Sequence, residues 1–166
     1  MLASMSPGPC SGQANDRAAL RIGDSLPVVA GRTLTDEAKV LPLGERASVV
    51  MFGFSRAAGE DSRRWGETLG RAGIPVYTVI ELEAVPSPLR AMVRSSIRKS
   101  IPDIERERSI VVTKDEALWR TRLGVRDTNR AYVLLIDSHA HITWESVQAF
   151  RAEDAETVAR LAQGLR

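Results

Sequence analysis

Residues 47–80 read ASVVMFGFSRAAGEDSRRWGETLGRAGIPVYTVI, and this stretch decides the fold class. Its opening, Ala47–Phe54, is an almost unbroken apolar run, the pattern of a strand buried on both faces. A helix is predicted over Ala57–Ala72, with Gly73 placed to close it as a C-terminal glycine. Ile74–Ile80 then reads as a second buried strand. Strand, helix and strand joined by short connections form a right-handed parallel crossover unit.

Working downstream, a second helix is predicted over Pro86–Ile101, with Pro88 in its first turn and Pro102 beyond its end. Leu89, Val93, Ile97 and Ile101 recur every fourth residue and Met92 widens the stripe, so an apolar face is expected. Ser109–Thr113 is a short strand, Asp115–Leu123 a turn or two of helix ending at Gly124. Ala131–Asp137 and Ile142–Val147 flank the turn Ser138–His141 as an antiparallel hairpin. Trp144 follows Ile142 by two residues, which places both on one face of a regular strand. A closing helix covers Asp154–Leu165, with Val158, Leu161 and Leu165 on one side. Upstream, Arg21–Val29 is a lead-in segment and Gly31–Leu43 a short β-ribbon.

Composition bounds the function. The chain has 166 residues, 43% of them hydrophobic, enough for one domain with a real core. A net charge of +2 gives no ground for a nucleic-acid partner, and none is expected. No run is apolar enough for a membrane span. The single cysteine, Cys10, permits neither an internal disulfide nor a CxxC pair. Met1–Ala14 is rich in Pro, Gly and Ser, so residues 1–20 are expected to be a disordered tail or the remnant of a targeting segment. Residues 21–166 form the folded domain. The expected location is soluble or peripheral at a membrane, or exported if the true start lies upstream of Met1.

Three segments carry a family resemblance. RIGDSLP (residues 21–27) resembles the G-x-x-x-P lead-in of peroxiredoxin and TlpA-type thioredoxin domains. VVMFGFSRAAGEDSRRW resembles the strand and helix that carry the redox cysteines in those proteins, and AYVLLIDSHAHITW resembles their hairpin. The resemblance implies an α/β thioredoxin-like three-layer sandwich: a central mixed sheet with a C-terminal hairpin and helices on both faces. It places the two redox cysteine positions at Ala57 and Glu60, and the cis-proline position at Ala131. Neither Ala nor Glu can replace a thiolate nucleophile.

A narrower resemblance covers about Leu89–Trp144. Arg98-Lys99-Ser100-Ile101-Pro102, then Leu123-Gly124 with Asn129, then Tyr132, Asp137, Ile142 and Trp144, resemble motifs of the Atp-ten family of ATP synthase assembly factors. Thr143 stands where that family usually has Arg, and the spacing before Asn129 is longer. The resemblance implies a redox-inactive chaperone for a membrane-embedded subunit of the rotary ATP synthase, working without a cofactor.

The residues offer several candidate sites. Arg90, Arg94 and Arg98 form one stripe on the second helix and Lys99 extends it, a basic face suited to an acidic partner or to peripheral contact with an anionic membrane. Lys99 and Arg98 also favour the helix dipole from the last turn. Trp144 is a partner anchor if exposed, or else core packing. Gly53-Phe54-Ser55-Arg56-Ala57 imitates a nucleophile elbow, with Asp127 or Asp137 and His139 or His141 following in order, but Ser55 serves more simply as a helix cap. His139 and His141 lack the further ligands of a metal site, so no metal is expected. The functional expectation is a non-catalytic binding or assembly protein. The alternatives are a thiol oxidoreductase using Cys10 and a structural domain with no site.

Overall fold

The computed structural model describes residues 19–165. Cys10 and nearly all of the expected tail lie outside the described residues. Seven strands form a single sheet in the order β2-β1-β5-β4-β3-β6-β7. Within the apolar run Ala47–Phe54 lies β3 (Ser48–Gly53), buried at every position. Its side chains alternate between two cores: Val50 and Phe52 to one, Val49 and Met51 to the other.

β3 leads through α1 (Arg56–Arg71) to β4 (Val76–Glu81), which pairs parallel with β3. β4 leads through α2 (Ser87–Ser100) and the short α3 (Asp103–Arg106) to β5 (Ser109–Val112), again parallel. Both crossovers step the same way along the sheet, so α1 and α2 lie over the same face. β6 (Tyr132–Ile136) runs antiparallel to β3, and β7 (Ile142–Ser146) antiparallel to β6. α5 (Ala152–Gly164) returns beside α1, where Ala155, Val158 and Ala162 meet Trp65 and Leu69. α4 (Glu116–Arg122) covers the opposite face, with Trp119 packed 5.0 Å from Phe52. This is the three-layer mixed α/β sandwich implied by the resemblance.

The expected ribbon is β1 (Val29–Thr33) and β2 (Ala38–Leu41). β1 also pairs with β5, and Gly31 permits it: a Cβ there would lie 2.5 Å from the Val111 carbonyl oxygen. Gly73 and Gly124, expected just past helix ends, both have positive φ.

Several expectations need correction. Ile142 and Trp144 do not share a face. Ile142 opposes Ile136 and Trp144 opposes Leu135, so Thr143 is an extra residue in a β-bulge. The bulge sends Ile142 into the core beneath α4 and Trp144 towards α1, 5.8 Å from Trp65. On α2, Val93 and Ile97 pack inward with Ile101, but Leu89 and Met92 are 46% and 64% exposed. On α5, Leu161 is exposed and Ala162 takes the buried position. The α3 turn was not anticipated, because four residues carry no readable period.

Candidate functional site

The redox loop implied by the resemblance lies at the C-terminal end of β3. Ser55 caps α1: its Oγ accepts from the Ala58 amide at 3.3 Å and lies 3.4 Å from Asn129 Oδ1. Ala57 and Glu60 are exposed on the first turns of α1. They border an open polar depression of about 590 Å³ with Asp61, Arg64, Asp127 and Arg130. Charges of both signs line it.

Ala131 is fully buried beside this loop. Its amide donates to Asp61 Oδ2 at 3.4 Å, a bond that a proline could not make. Asp61 Oδ1 accepts from the Phe150 amide at 2.8 Å. One carboxylate thus ties α1 to the start of β6 and to the approach to α5. Tyr132 adds a second tie, its hydroxyl accepting from the Arg126 amide at 3.0 Å.

The nucleophile-elbow reading fails on topology. β6 is antiparallel to β3, pairing Phe52 with Tyr132 and Ser48 with Ile136. The turn holding His139 and His141 therefore lies at the far end of the sheet from Ser55. In that turn His141 Nδ1 sits 3.5 Å from Asp137 Oδ2, and the His139 and His141 rings stack at 6.4 Å. Burial opposes ionisation of Asp137, but amide donors from His141 and His139 and the nearby His141 ring hold its carboxyl below the usual value. No group of three or more potential metal ligands occurs among the described residues.

The basic stripe of α2 divides in two. Arg90 donates to the Val85 and Glu83 carbonyls at 2.8 and 3.0 Å. Arg94 donates to the Thr33 carbonyl and pairs with Asp36 at 2.9 Å, joining α2 to the β1–β2 turn. Arg98 and Lys99 are exposed. Trp144 is half-buried against Trp65.

Two features escaped the sequence reading. Glu81, at the end of β4, is 6% exposed and neither carboxyl oxygen has a hydrogen-bond partner among the described residues. Burial, reinforced by Glu116, Glu83 and Asp115, pushes its pKa up to about 8. Nothing in the sequence Ile80-Glu81-Leu82-Glu83 signals which of the two glutamates is buried. The second feature is a groove of about 1160 Å³ between α1 and α2. Its floor includes Val76, Thr78 and Ile80 of β4, which are partly exposed although β4 is the central strand. Gly59, Ser62, Gly66 and Gly70 form its α1 wall, and Val93 and Ile97 belong to its α2 wall. No residue of α2 is fully buried. The spacing of the small residues on α1 was a legible signal.

Comparison with solved structures gives the fold. The chain is similar to the thioredoxin domain of a thiol-disulfide oxidoreductase from Bacteroides vulgatus, with TM-score 0.61, 16% identity, and 87% of this chain and 99% of that chain covered. It is similar to a peroxiredoxin-like protein from Aquifex aeolicus at TM-score 0.58 and 14% identity, covering 86% and 88%. It is also similar to BsSco, a member of the Sco family of cytochrome c oxidase assembly proteins, at TM-score 0.62 and 9% identity, covering 89% and 98%. No curated protein matches the sequence. The family model described as ATP10 protein matches residues 25–165, nearly the whole described domain and all the elements above, so the chain belongs to the ATP10 protein family.

Proposed function

We propose that this protein is a redox-inactive, thioredoxin-like binding protein that assists assembly of the ATP synthase by holding a membrane-embedded subunit. Membership of the ATP10 family supports the assembly role. The observation that carries the non-catalytic reading is the loop around Ala57, Glu60 and Ala131. A thiol oxidoreductase needs a low-pKa thiolate in a structured electropositive site. Here that place holds a methyl group and an exposed carboxylate, and the Ala131 amide is engaged by Asp61.

Two measurements test this. The full chain, tagged and purified from gently solubilised membranes of its host, is expected to bring ATP synthase subunits with it. Their absence at stoichiometric yield would remove the assembly role. Insulin-reduction and peroxide-consumption assays are expected to show no turnover, with wild type and Cys10→Ser indistinguishable. Turnover that Cys10→Ser abolishes would instead assign thiol chemistry to the N-terminal segment.

A further inference from the structure

The wall that α1 presents to the groove is a stripe of small residues flanked by the charged side chains of Arg56, Glu60, Arg63, Glu67 and Arg71. Gly59, Ser62, Gly66 and Gly70 follow one another at spacings of three, four and four residues. Glycine is a poor helix former, yet three of these positions use it. A Cβ at Gly59, Gly66 or Gly70 would meet nothing within 4 Å, so packing inside this chain does not require bare backbone there. Close approach by the backbone of a second helix does, and stripes of small residues serve that purpose where helices pack in membranes. Ser62 gives an independent sign. It lines the groove at 2% exposure, and its hydroxyl has no hydrogen-bond partner among the described residues. A hydroxyl on such a helix face finds its partner on the helix that docks against it.

We infer that this groove receives an α-helix of the assembly client: an apolar membrane-spanning segment with a face of small residues and an acidic group at one end. The inference rests on the assembly reading above and names its surface and its partner chemistry. The stripe from Gly59 to Gly70 is ~16 Å long, three turns of a docked helix. The α2 wall and the floor include apolar side chains that suit an apolar helix: Val93 and Ile97 pack in one cluster with Ile80, and Val76 lies further along the floor. Charge fixes the end group. Arg63 on the rim is paired with Glu67, and Arg71 and Arg108, exposed and in no ion pair among the described residues, outnumber the one further carboxylate near them, the half-buried Glu105. An acyl chain would gain nothing from glycine in place of alanine, whereas a helix backbone gains contact along its whole length.

The test uses the full chain and synthetic peptides in detergent micelles. One peptide is a 20-residue alanine- and leucine-rich helix with a Gly-xxx-Gly face and a terminal Asp. Controls replace the glycines by Leu, or the Asp by Lys. Saturable binding of the first peptide is expected, at least tenfold tighter than of the leucine-faced control. Gly66→Leu with Gly70→Leu should weaken it at least tenfold while the melting temperature stays level or rises. Arg71→Glu with Arg108→Glu should reverse the preference between Asp and Lys. No binding, equal binding of the leucine-faced peptide, an unaffected Leu variant, or competition by lipid vesicles alone would overturn the inference. Co-purification of ATP synthase subunits by the Gly66→Leu, Gly70→Leu chain would leave the assembly role standing and the groove excluded from it.

Discussion

Asp61 shows how a single residue holds a loop in shape. Its two oxygens accept the Ala131 and Phe150 amides from elements distant in sequence. Removing the carboxylate leaves two buried or half-buried donors unsatisfied, and a hydrogen bond to a charged acceptor contributes about 1.5–3 kcal/mol. Asp61→Ala is therefore expected to lower stability by roughly 2–4 kcal/mol. Chemical denaturation reads this directly, and Asp61→Asn should recover part of it, since one amide oxygen can still accept. An unchanged midpoint for Asp61→Ala would mean that these bonds contribute nothing. The sequence places an acid in the second turn of a helix, and that reads only as a favourable dipole contact. Its true partners lie 70 and 89 residues away.

At the scale of elements, α2 separates what its pattern suggested as one face. The i, i+4, i+8 spacing of Arg90, Arg94 and Arg98 is a correct statement about the helix and an incomplete one about the protein. The loop from Glu83 to Val85 and the β1–β2 turn take up the first two guanidinium groups. Arg94→Ala should cost stability, on the order of 1 kcal/mol, because it removes the tie between α2 and the β1–β2 turn, although the Thr33 carbonyl keeps the Asp36 amide and the exposed Asp36 carboxylate keeps water. Arg98→Gln with Lys99→Gln should lower the melting temperature by no more than a few degrees, the lost helix-dipole contribution, and weaken recovery of an acidic partner. The opposite pattern would make the outer residues structural and the inner ones free. The β7 bulge teaches the same lesson. Strand alternation predicts a shared face for Ile142 and Trp144, and one inserted residue, Thr143, reverses it.

For the whole molecule, the buried Glu81 couples stability to pH. Its folded pKa of about 8 lies above the ordinary glutamate value of 4.5, so between these values the native state keeps a proton that the unfolded chain releases. Stability contributed by the protonated group is present below the lower value and lost as pH rises towards the higher one. Glu105 shifts the same way through burial and the neighbouring Glu67, with Arg63 opposing. Asp137 works in the other direction at the acid end, where its contribution disappears as pH falls below the ordinary aspartate range. The melting temperature is thus expected to fall by several degrees between pH 5 and pH 8. Glu81→Gln should flatten that slope and be the more stable protein at pH 8. A slope unchanged by Glu81→Gln would place the pH dependence elsewhere.

The sequence by itself determined the layers of this protein. A doubly buried β3, a right-handed crossover to β4, a terminal hairpin and its closing helix leave few other ways to bury the apolar runs. It also determined what the redox loop lacks, because residue identity alone decides whether a thiolate is present. Tertiary structure decided which charges are free, since the partners of Arg90, Arg94 and Asp61 come from other elements. It decided the environment of Glu81, because desolvation is a property of everything packed around a group. It decided, too, that α1 and α2 stand apart over the central strand, turning a row of small residues into the wall of an open groove.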